Sequence, residues 1–247
     1  MLPFYARHFR VVEVDSTYYH MPSERNFALW VERTPKHFVF DVKAYRRLTQ
    51  HDRGEEPTAD DFDRFASALR PVDEAGKLGC VLFQFPPWFK HAPENFDYIR
   101  ECRDQMPDYQ LAIEFRHGSW VSRANVDETL HFLREEGLAY VCVDEPQFRG
   151  STVPPLAEAT ADLSVVRFHG RNYKNWFKRD NTVEDRFCYL YTPDELAEWV
   201  PKIESLAQQA QQVHVLMNNC SSDYSVRNAR DVEALLAERD ARTRAAG

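Results

Sequence analysis

The sequence lacks the short signatures that identify the common nucleotide, redox and zinc sites. No GxGxxG follows the first candidate strand, and neither GxxxxGKS nor GxxxxGKT occurs anywhere. Dinucleotide-binding and P-loop folds are therefore disfavoured. CxxC, HxxxH and HExxH spacings are also missing. No cofactor is predicted on these grounds, and a divalent metal is disfavoured.

Long apolar runs and an excess of positive charge are missing as well. No apolar stretch approaches the roughly 20 residues that span a bilayer, and "MLPFYARHF" has none of the parts of a signal peptide. The net charge of −8 argues against a generally basic surface that coats nucleic acid, although a local basic cleft is compatible with it. The five cysteines are odd in number and unpaired in spacing. We therefore expect a cytoplasmic protein with no membrane partner.

What the sequence does contain is a regular alternation of short apolar runs and amphipathic stretches. With 247 residues, 43% of them hydrophobic, the chain can form one sizeable core, so a single domain over residues 1–247 is predicted. The candidate strands are 11–15, 38–43, 80–85, 111–116, 140–144, 164–169 and 213–218. The candidate helices lie near 24–33, 60–75, 94–105, 126–136, 194–209 and 224–239. Such alternation predicts parallel strands joined by right-handed crossovers.

The strands have a period of two that favours a (β/α)8-type TIM barrel over a doubly wound sheet. In strand 111–116, for example, Ile113 and Phe115 alternate with Glu114 and Arg116. One face of each strand is apolar and suits the outer helices, while the other face becomes polar toward the carboxyl end. Barrel enzymes place their sites at that end. Seven strands are predicted, one fewer than a complete barrel of this type has.

The polar ends of the strands form a ring with the composition of a reactive site. Its carboxylates are Glu13, Asp15, Asp41, Glu114 and Asp144, and its cations are Lys43, Arg116, Arg167 and Arg171. We interpret Glu13, Glu114 and His169 as candidate catalytic residues, since carboxylates and imidazoles transfer protons. The candidate ligand-binding residues are Lys43, Arg116, His117, Arg167, Arg171, Trp120, Trp176 and Asn218. The alternative is a set of buried salt bridges that only stabilises the barrel.

Two local features refine the prediction for a ligand. Arg167 and Arg171 in "RFHGR" suit bidentate binding of phosphate or carboxylate, on a loop position where barrels hold phosphate. The alternative for Arg171 is a surface ion pair with Glu184 or Asp185. Trp120 and Trp176 follow two strands and are expected on the rim, where aromatic rings stack on a base or a sugar. They could equally pack the loops over the barrel.

Six ordered segments of the chain are distinctive: "VVEVDSTYYHMP", "TPKHFVFDVKA", "LGCVLFQFPPWF", "AIEFRHGSW", "VVRFHGR" and "VLMNN". Together they resemble a known family, DUF72, whose members are also called YecE-like proteins. The resemblance covers essentially the whole chain and implies a TIM barrel, but no settled activity. It also implies a further strand before the segment "MLPFYARHF", so this chain is expected to be N-terminally truncated relative to the family. A gap or a substitute element is then expected between strands 11–15 and 213–218.

Together, these patterns predict a barrel that binds an anionic, phosphate-bearing small molecule or a nucleic-acid end at its C-terminal mouth. Hydrolase- or lyase-type acid–base chemistry is compatible with the ring. One alternative is a carbohydrate-active enzyme that uses Glu13 and Glu114 as its carboxylate pair. The other is a noncatalytic binding or scaffold protein. A metal held by Glu13, Glu114, Asp144 and His169 is disfavoured, because the neighbouring arginines would repel it. The sequence leaves the oligomeric state open.

Overall fold

Seven parallel strands form a nearly closed barrel in the computed structural model, which describes residues 1–180 and 182–246. The strands are β1 (Val11–Val14), β2 (Val39–Lys43), β3 (Leu78–Gln84), β4 (Leu111–Glu114), β5 (Ala139–Asp144), β6 (Leu163–Phe168) and β7 (Gln212–Met217). Each strand pairs in parallel with the next one along the chain. This sequential order confirms the predicted TIM-like barrel, because a doubly wound sheet reverses its strand order at a central crevice.

Helices lie in most of the connections between the strands, before β1 and after β7, and cover the outside of the barrel. They are α1 (Leu2–Tyr5), α2 (Ser16–Tyr19), α3 (Glu24–Glu32), α4 (Ala59–Glu74), α5 (Pro93–Gln105), α6 (Val126–Glu135), α7 (Val183–Phe187), α8 (Pro193–Ala197), α9 (Val200–Gln209) and α10 (Tyr224–Ala246). The single helix predicted over 194–209 is wrong, since α8 ends before α9 begins. Pro201 explains the break, because its ring lacks an N–H and clashes with the carbonyl one turn earlier. Along the described chain, no helix combines the length and the apolar character needed to cross a membrane.

The strand register separates an inner face from an outer face. Glu13 is level with Asp41, and Gln84 is level with Glu114. These side chains point into the barrel, whereas Phe40, Phe83 and Phe168 are buried under the helices. The predicted alternation is thus confirmed for these strands.

Strand β5 has the opposite phase from the one predicted. Val143 pairs with Arg167 and Asp144 pairs with Phe168. Paired residues in a parallel sheet share a face, so Val143 points inward and Asp144 points toward the helices. Asp144 is therefore not part of the polar ring. All six residues of β5 are buried, and a strand buried on both faces carries no hydropathy signal that tells inside from outside.

The barrel is open between its first and last strands. Within residues 1–180 and 182–246, β1 and β7 do not pair with each other. A cavity of about 220 Å³ lies at this seam, lined by Val12 of β1, Met217 of β7 and Ser225 of α10, among others. The gap expected between strands 11–15 and 213–218 is confirmed. Inside the barrel, His214 Nδ1 lies 2.8 Å from Asp41 Oδ2, so this carboxylate is paired with β7.

Candidate functional site

Arg167 is the centre of a buried polar cluster inside the barrel. Its Nε donates to Glu13 Oε2 over 2.8 Å, and its Nη2 donates to Glu13 Oε1 over 2.5 Å. Its Nη1 donates to Gln84 Oε1 over 3.1 Å and also to Glu114 Oε2. The guanidinium is fully buried, so these contacts link β1, β3, β4 and β6 without solvent. Four of the five N–H donors of Arg167 are used within the cluster, so the side chain is held in the barrel interior.

Glu114 and His169 are held in defined protonation states by this cluster. Burial alone would raise the pKa of Glu114, but Arg167, His169 and Arg116 hold it well below its usual range. His169 Nε2 lies 3.0 Å from Glu114 Oε1, and its Nδ1 lies 3.0 Å from Asn218 Nδ2. Burial and Arg116 lower the pKa of His169 to about 3, so the imidazole is neutral. The neutral ring accepts a hydrogen bond from the Asn218 amide through its Nδ1 and donates one to the Glu114 carboxylate through its Nε2. Both ring nitrogens are therefore hydrogen-bonded.

A cleft of about 1160 Å³ opens above the buried cluster, at the carboxyl ends of the strands. Its charged lining comes from the end of β2, from α7 and from loops. The lining cations are Lys43, Lys90, Arg116 and Arg186, and the lining carboxylates are Asp15, Glu145 and Glu184. Lys43 is paired, since its Nζ lies 3.0 Å from Asp15 Oδ1 and 4.8 Å from the ring of Tyr18. Glu13, Glu114 and His169 are not among the described residues that line this cleft.

Arg116 connects the buried cluster to the cleft. Its Nη1 lies 3.1 Å from Glu114 Oε1, its Nη2 lies 3.1 Å from Glu145 Oε2, and its guanidinium lies 5.3 Å from the ring centre of Trp176. Glu145 also accepts from the backbone N–H of Val153 over 2.8 Å. Burial raises the pKa of Glu145 to about 7, against the opposing effect of Arg116. Glu145 therefore changes charge near neutral pH, directly beside an arginine of the cleft.

Arg186 faces the cleft without a carboxylate partner among the described residues. It lies on α7, is half-buried, and makes none of the ion pairs found in that part of the chain. Its Nε is buried and has no hydrogen-bond acceptor there. Burial and the positive charge of Arg116 lower the pKa of Arg186. Two guanidinium groups thus share one cleft, and only Arg116 is neutralised by acids.

Comparison with known proteins identifies the family of this chain. The profile of "Protein of unknown function DUF72" matches residues 1–246. The chain belongs to the DUF72 family. It is 41% identical over 242 residues to the UPF0759 protein YunF of Bacillus subtilis, covering 95% of this chain and 86% of YunF. It is 24% identical over 212 residues to the UPF0759 protein YecE of Escherichia coli strain K12, covering 79% of this chain and 73% of YecE.

Solved DUF72 structures share the fold. The crystal structure of a DUF72 protein from Enterococcus faecalis superposes with a TM-score of 0.91 at 31% identity, covering 96% of this chain and 88% of that one. A DUF72 protein from Thermotoga maritima gives a TM-score of 0.82 at 35% identity, covering 93% and 85% of the two chains. The similarity therefore extends over nearly the whole DUF72 barrel.

The sequence-predicted site residues of this DUF72 chain fall into three groups. The cleft contains Lys43, Arg116, His117, Trp176 and Asn218. The buried cluster contains Glu13, Glu114, Arg167 and His169, with Asn218 bridging to the cleft. Arg171 and Trp120 belong to neither place.

Trp120 lies in the core rather than on the rim. It is fully buried, and its ring is stacked on Phe115 at 4.1 Å and on Phe89 at 5.7 Å between ring centres. Its Nε1 donates to the backbone carbonyl of Phe89 over 2.8 Å. An indole that is covered on its faces and satisfied at its nitrogen has no surface left for a ligand. The prediction for Trp120 is wrong.

Arg171 is turned away from the cleft and pairs on the helical side of the barrel. Its Nη2 lies 2.7 Å from Asp144 Oδ2 and 2.8 Å from Glu198 Oε2. The reversed phase of β5 places Asp144 there to receive it. Both the predicted anion contact and the alternative surface pair with Glu184 or Asp185 are therefore wrong.

Glu145 and Arg186 are among the cleft residues that were not identified from the sequence. Glu145 directly follows β5. The predicted phase of β5 pointed Asp144 into the barrel and so pointed Glu145 away from the cleft. Arg186 lies within the long 170–191 connection, whose length indicates function without indicating which residue acts.

Among the described His, Cys, Asp and Glu residues, no group of three or more is placed to hold a metal ion.

Proposed function

We propose that this DUF72 protein binds an anionic, phosphate-bearing ligand in the cleft at the C-terminal mouth of the barrel. The observation that carries the proposal is Arg186, a half-buried guanidinium that faces Arg116 and has no carboxylate partner among the described residues. Like charges in a partly desolvated cleft repel each other, and an anion between them removes that repulsion. Arginine is suited to phosphate because its planar donors bind two oxygens at once.

Further support comes from the size and position of the cleft. Its volume of about 1160 Å³ is ample for a small organic ligand, since such pockets typically measure roughly 300–1,000 Å³. It also lies at the end of the barrel where enzymes of this fold bind their substrates. The cleft is locally more basic than the molecule as a whole, which has a net charge of −8.

Acid–base chemistry in this cleft, of the hydrolase or lyase type, is part of the proposal, with Glu145 as the group best placed to carry a proton. It lines the cleft and has a pKa of about 7, owing to burial. Glu13 and Glu114 are poorly placed for a carbohydrate-active enzyme. Both are held by the same buried Arg167, below the cleft. We also propose a cytoplasmic location, because the five cysteines are free thiols.

The proposal is tested by calorimetric titration of wild type and Arg186→Ala with inorganic phosphate and with a set of phosphorylated metabolites. Losing one charge-assisted contact removes about 1.5–3 kcal/mol, which weakens affinity roughly 10- to 150-fold. Arg64→Ala is the matched control, because Arg64 is 60% exposed on α4, outside the cleft. Equal affinities of wild type and Arg186→Ala for every anion that binds would refute the proposal, as would the absence of any binding.

A further inference from the structure

The exposed apolar side chains of this protein concentrate at the cleft. The large hydrophobic residues that are exposed in the described chain are Met1, Phe4, Tyr19, Trp88, Tyr173, Phe177, Val183 and Val226. Four of these eight line the cleft, namely Tyr19, Trp88, Phe177 and Val183. Exposed apolar surface costs free energy in water, and where it gathers beside polar groups it marks a binding surface. A bare inorganic anion would leave these apolar side chains exposed to water.

Trp88 is an aromatic ring fixed in place at the mouth of the cleft. Its Nε1 donates to the backbone carbonyl of Gln50 over 3.3 Å, the guanidinium of Arg53 lies 4.2 Å from its ring centre, and the ring of His51 lies at 5.9 Å. The side chain nevertheless remains 44% exposed. A ring that is already immobilised loses little conformational entropy when a ligand packs on it.

A second exposed ring lies on another wall of the same cleft. Phe177, in the connection between β6 and α7, is 59% exposed and contacts Phe148 at 4.9 Å between ring centres. Trp88 follows β3, and in the sequential strand order β6 lies three strands away from β3. Aromatic surface therefore approaches the cleft from two separate loops, with Arg116 and Arg186 in the same lining.

We propose that the ligand of this cleft is a nucleotide, with its phosphate held by Arg116 and Arg186 and its base packed on Trp88 and Phe177. This inference rests on the proposed function and adds an aromatic base to the phosphate of the ligand. A sugar phosphate would satisfy the arginines but leave the aromatic surface uncovered. A planar heteroaromatic base covers it, and stacking accepts any base because every base has a π-face.

The test compares the binding of AMP, ribose 5-phosphate and inorganic phosphate by isothermal titration calorimetry. AMP should bind wild type about 5- to 150-fold more tightly than ribose 5-phosphate, the range that one base–aromatic stack contributes. Trp88→Ala and Phe177→Ala should each reduce this advantage while leaving the affinity for ribose 5-phosphate unchanged. Trp88→Phe should retain most of the advantage, because it keeps a stacking ring.

Phe4→Ala is the matched control, since Phe4 is 62% exposed and does not line the cleft. It should leave all three affinities unchanged. Equal affinities for AMP and ribose 5-phosphate would overturn the inference while leaving anion binding intact. An equal loss of affinity for both ligands in Trp88→Ala would overturn it too. If none of the three phosphates binds, the proposed function fails and this inference fails with it.

Discussion

Replacing Arg167 by Met should sharply destabilise the protein. The side chains are similar in length, so the change removes charge and hydrogen bonds without leaving a large cavity. Glu13 and Glu114 then remain buried with their common partner gone. Breaking a buried pair in this way costs about 3–5 kcal/mol. For a domain of this size, each kcal/mol lowers the melting temperature by roughly 2–4 °C, so we expect a loss of about 6–20 °C.

The assay is urea unfolding of wild type and Arg167→Met at pH 7, followed by far-ultraviolet circular dichroism. The control is Arg64→Ala, which breaks an exposed pair with Asp60 at 3.8 Å and should change the unfolding free energy by about 1 kcal/mol or less. Adding Glu13→Gln and Glu114→Gln to Arg167→Met should recover part of the loss, because no uncompensated charge then remains.

The destabilisation should also depend on pH. Burial already raises the pKa of Glu13 to about 7 in the wild type, against the lowering effect of Arg167. Without Arg167, the folded-state pKa of Glu13 should rise further above its unfolded-state value. The folded protein binds more protons than the unfolded chain between those values, so the stability of Arg167→Met should increase as the pH falls from 8 toward 5. A loss below about 1 kcal/mol at pH 7 would refute this account of the cluster.

Two further predictions concern the cleft and the core. Affinity for sulfate should increase as the pH falls from 8 to 6, because Glu145, whose pKa burial raises to about 7, becomes neutral and frees one side of Arg116. In Glu145→Gln this dependence should vanish in calorimetric titrations, and an unchanged slope would contradict it. Trp120→Ala should lower the unfolding free energy by about 3–5 kcal/mol, measured by urea denaturation, because the ring is fully buried. Its sulfate affinity, compared where both proteins are folded, should equal that of wild type, and a weakened affinity would argue against placing Trp120 in the core.

The strands of this barrel were predictable because most of them carry a clear two-residue period. In β6, Arg167 alternates with Val166 and Phe168, and the polar residue lies inside as expected. Strand β5 has no such contrast, since Cys142 is as apolar as the valines beside it. Its phase is fixed by pairing with β6, which is a tertiary contact that local sequence does not contain.

The loops were less predictable for a different reason. Trp120 and Trp176 both follow a strand end and have the same local appearance, yet only Trp176 lines the cleft. Trp120 is covered by Phe89 and Phe115, together with other rings. Of these two, Phe89 lies on a different loop, the one after β3. Whether a loop residue lines the cleft depends on neighbours that are distant along the chain, so the spacing of residues alone does not predict it.

The split between cluster and cleft determines where a ligand must be sought. Arg167 and Arg116 together contact three carboxylates, those of Glu13, Glu114 and Glu145. The positive charges of Arg167 on β6 and Arg116 after β4 are therefore balanced by carboxylates. In the part of the chain that the structure describes, Arg186 of α7 is the cleft guanidinium without a carboxylate partner. Affinity for anions should accordingly change with substitutions in α7, while substitutions in the cluster should change the stability of the barrel.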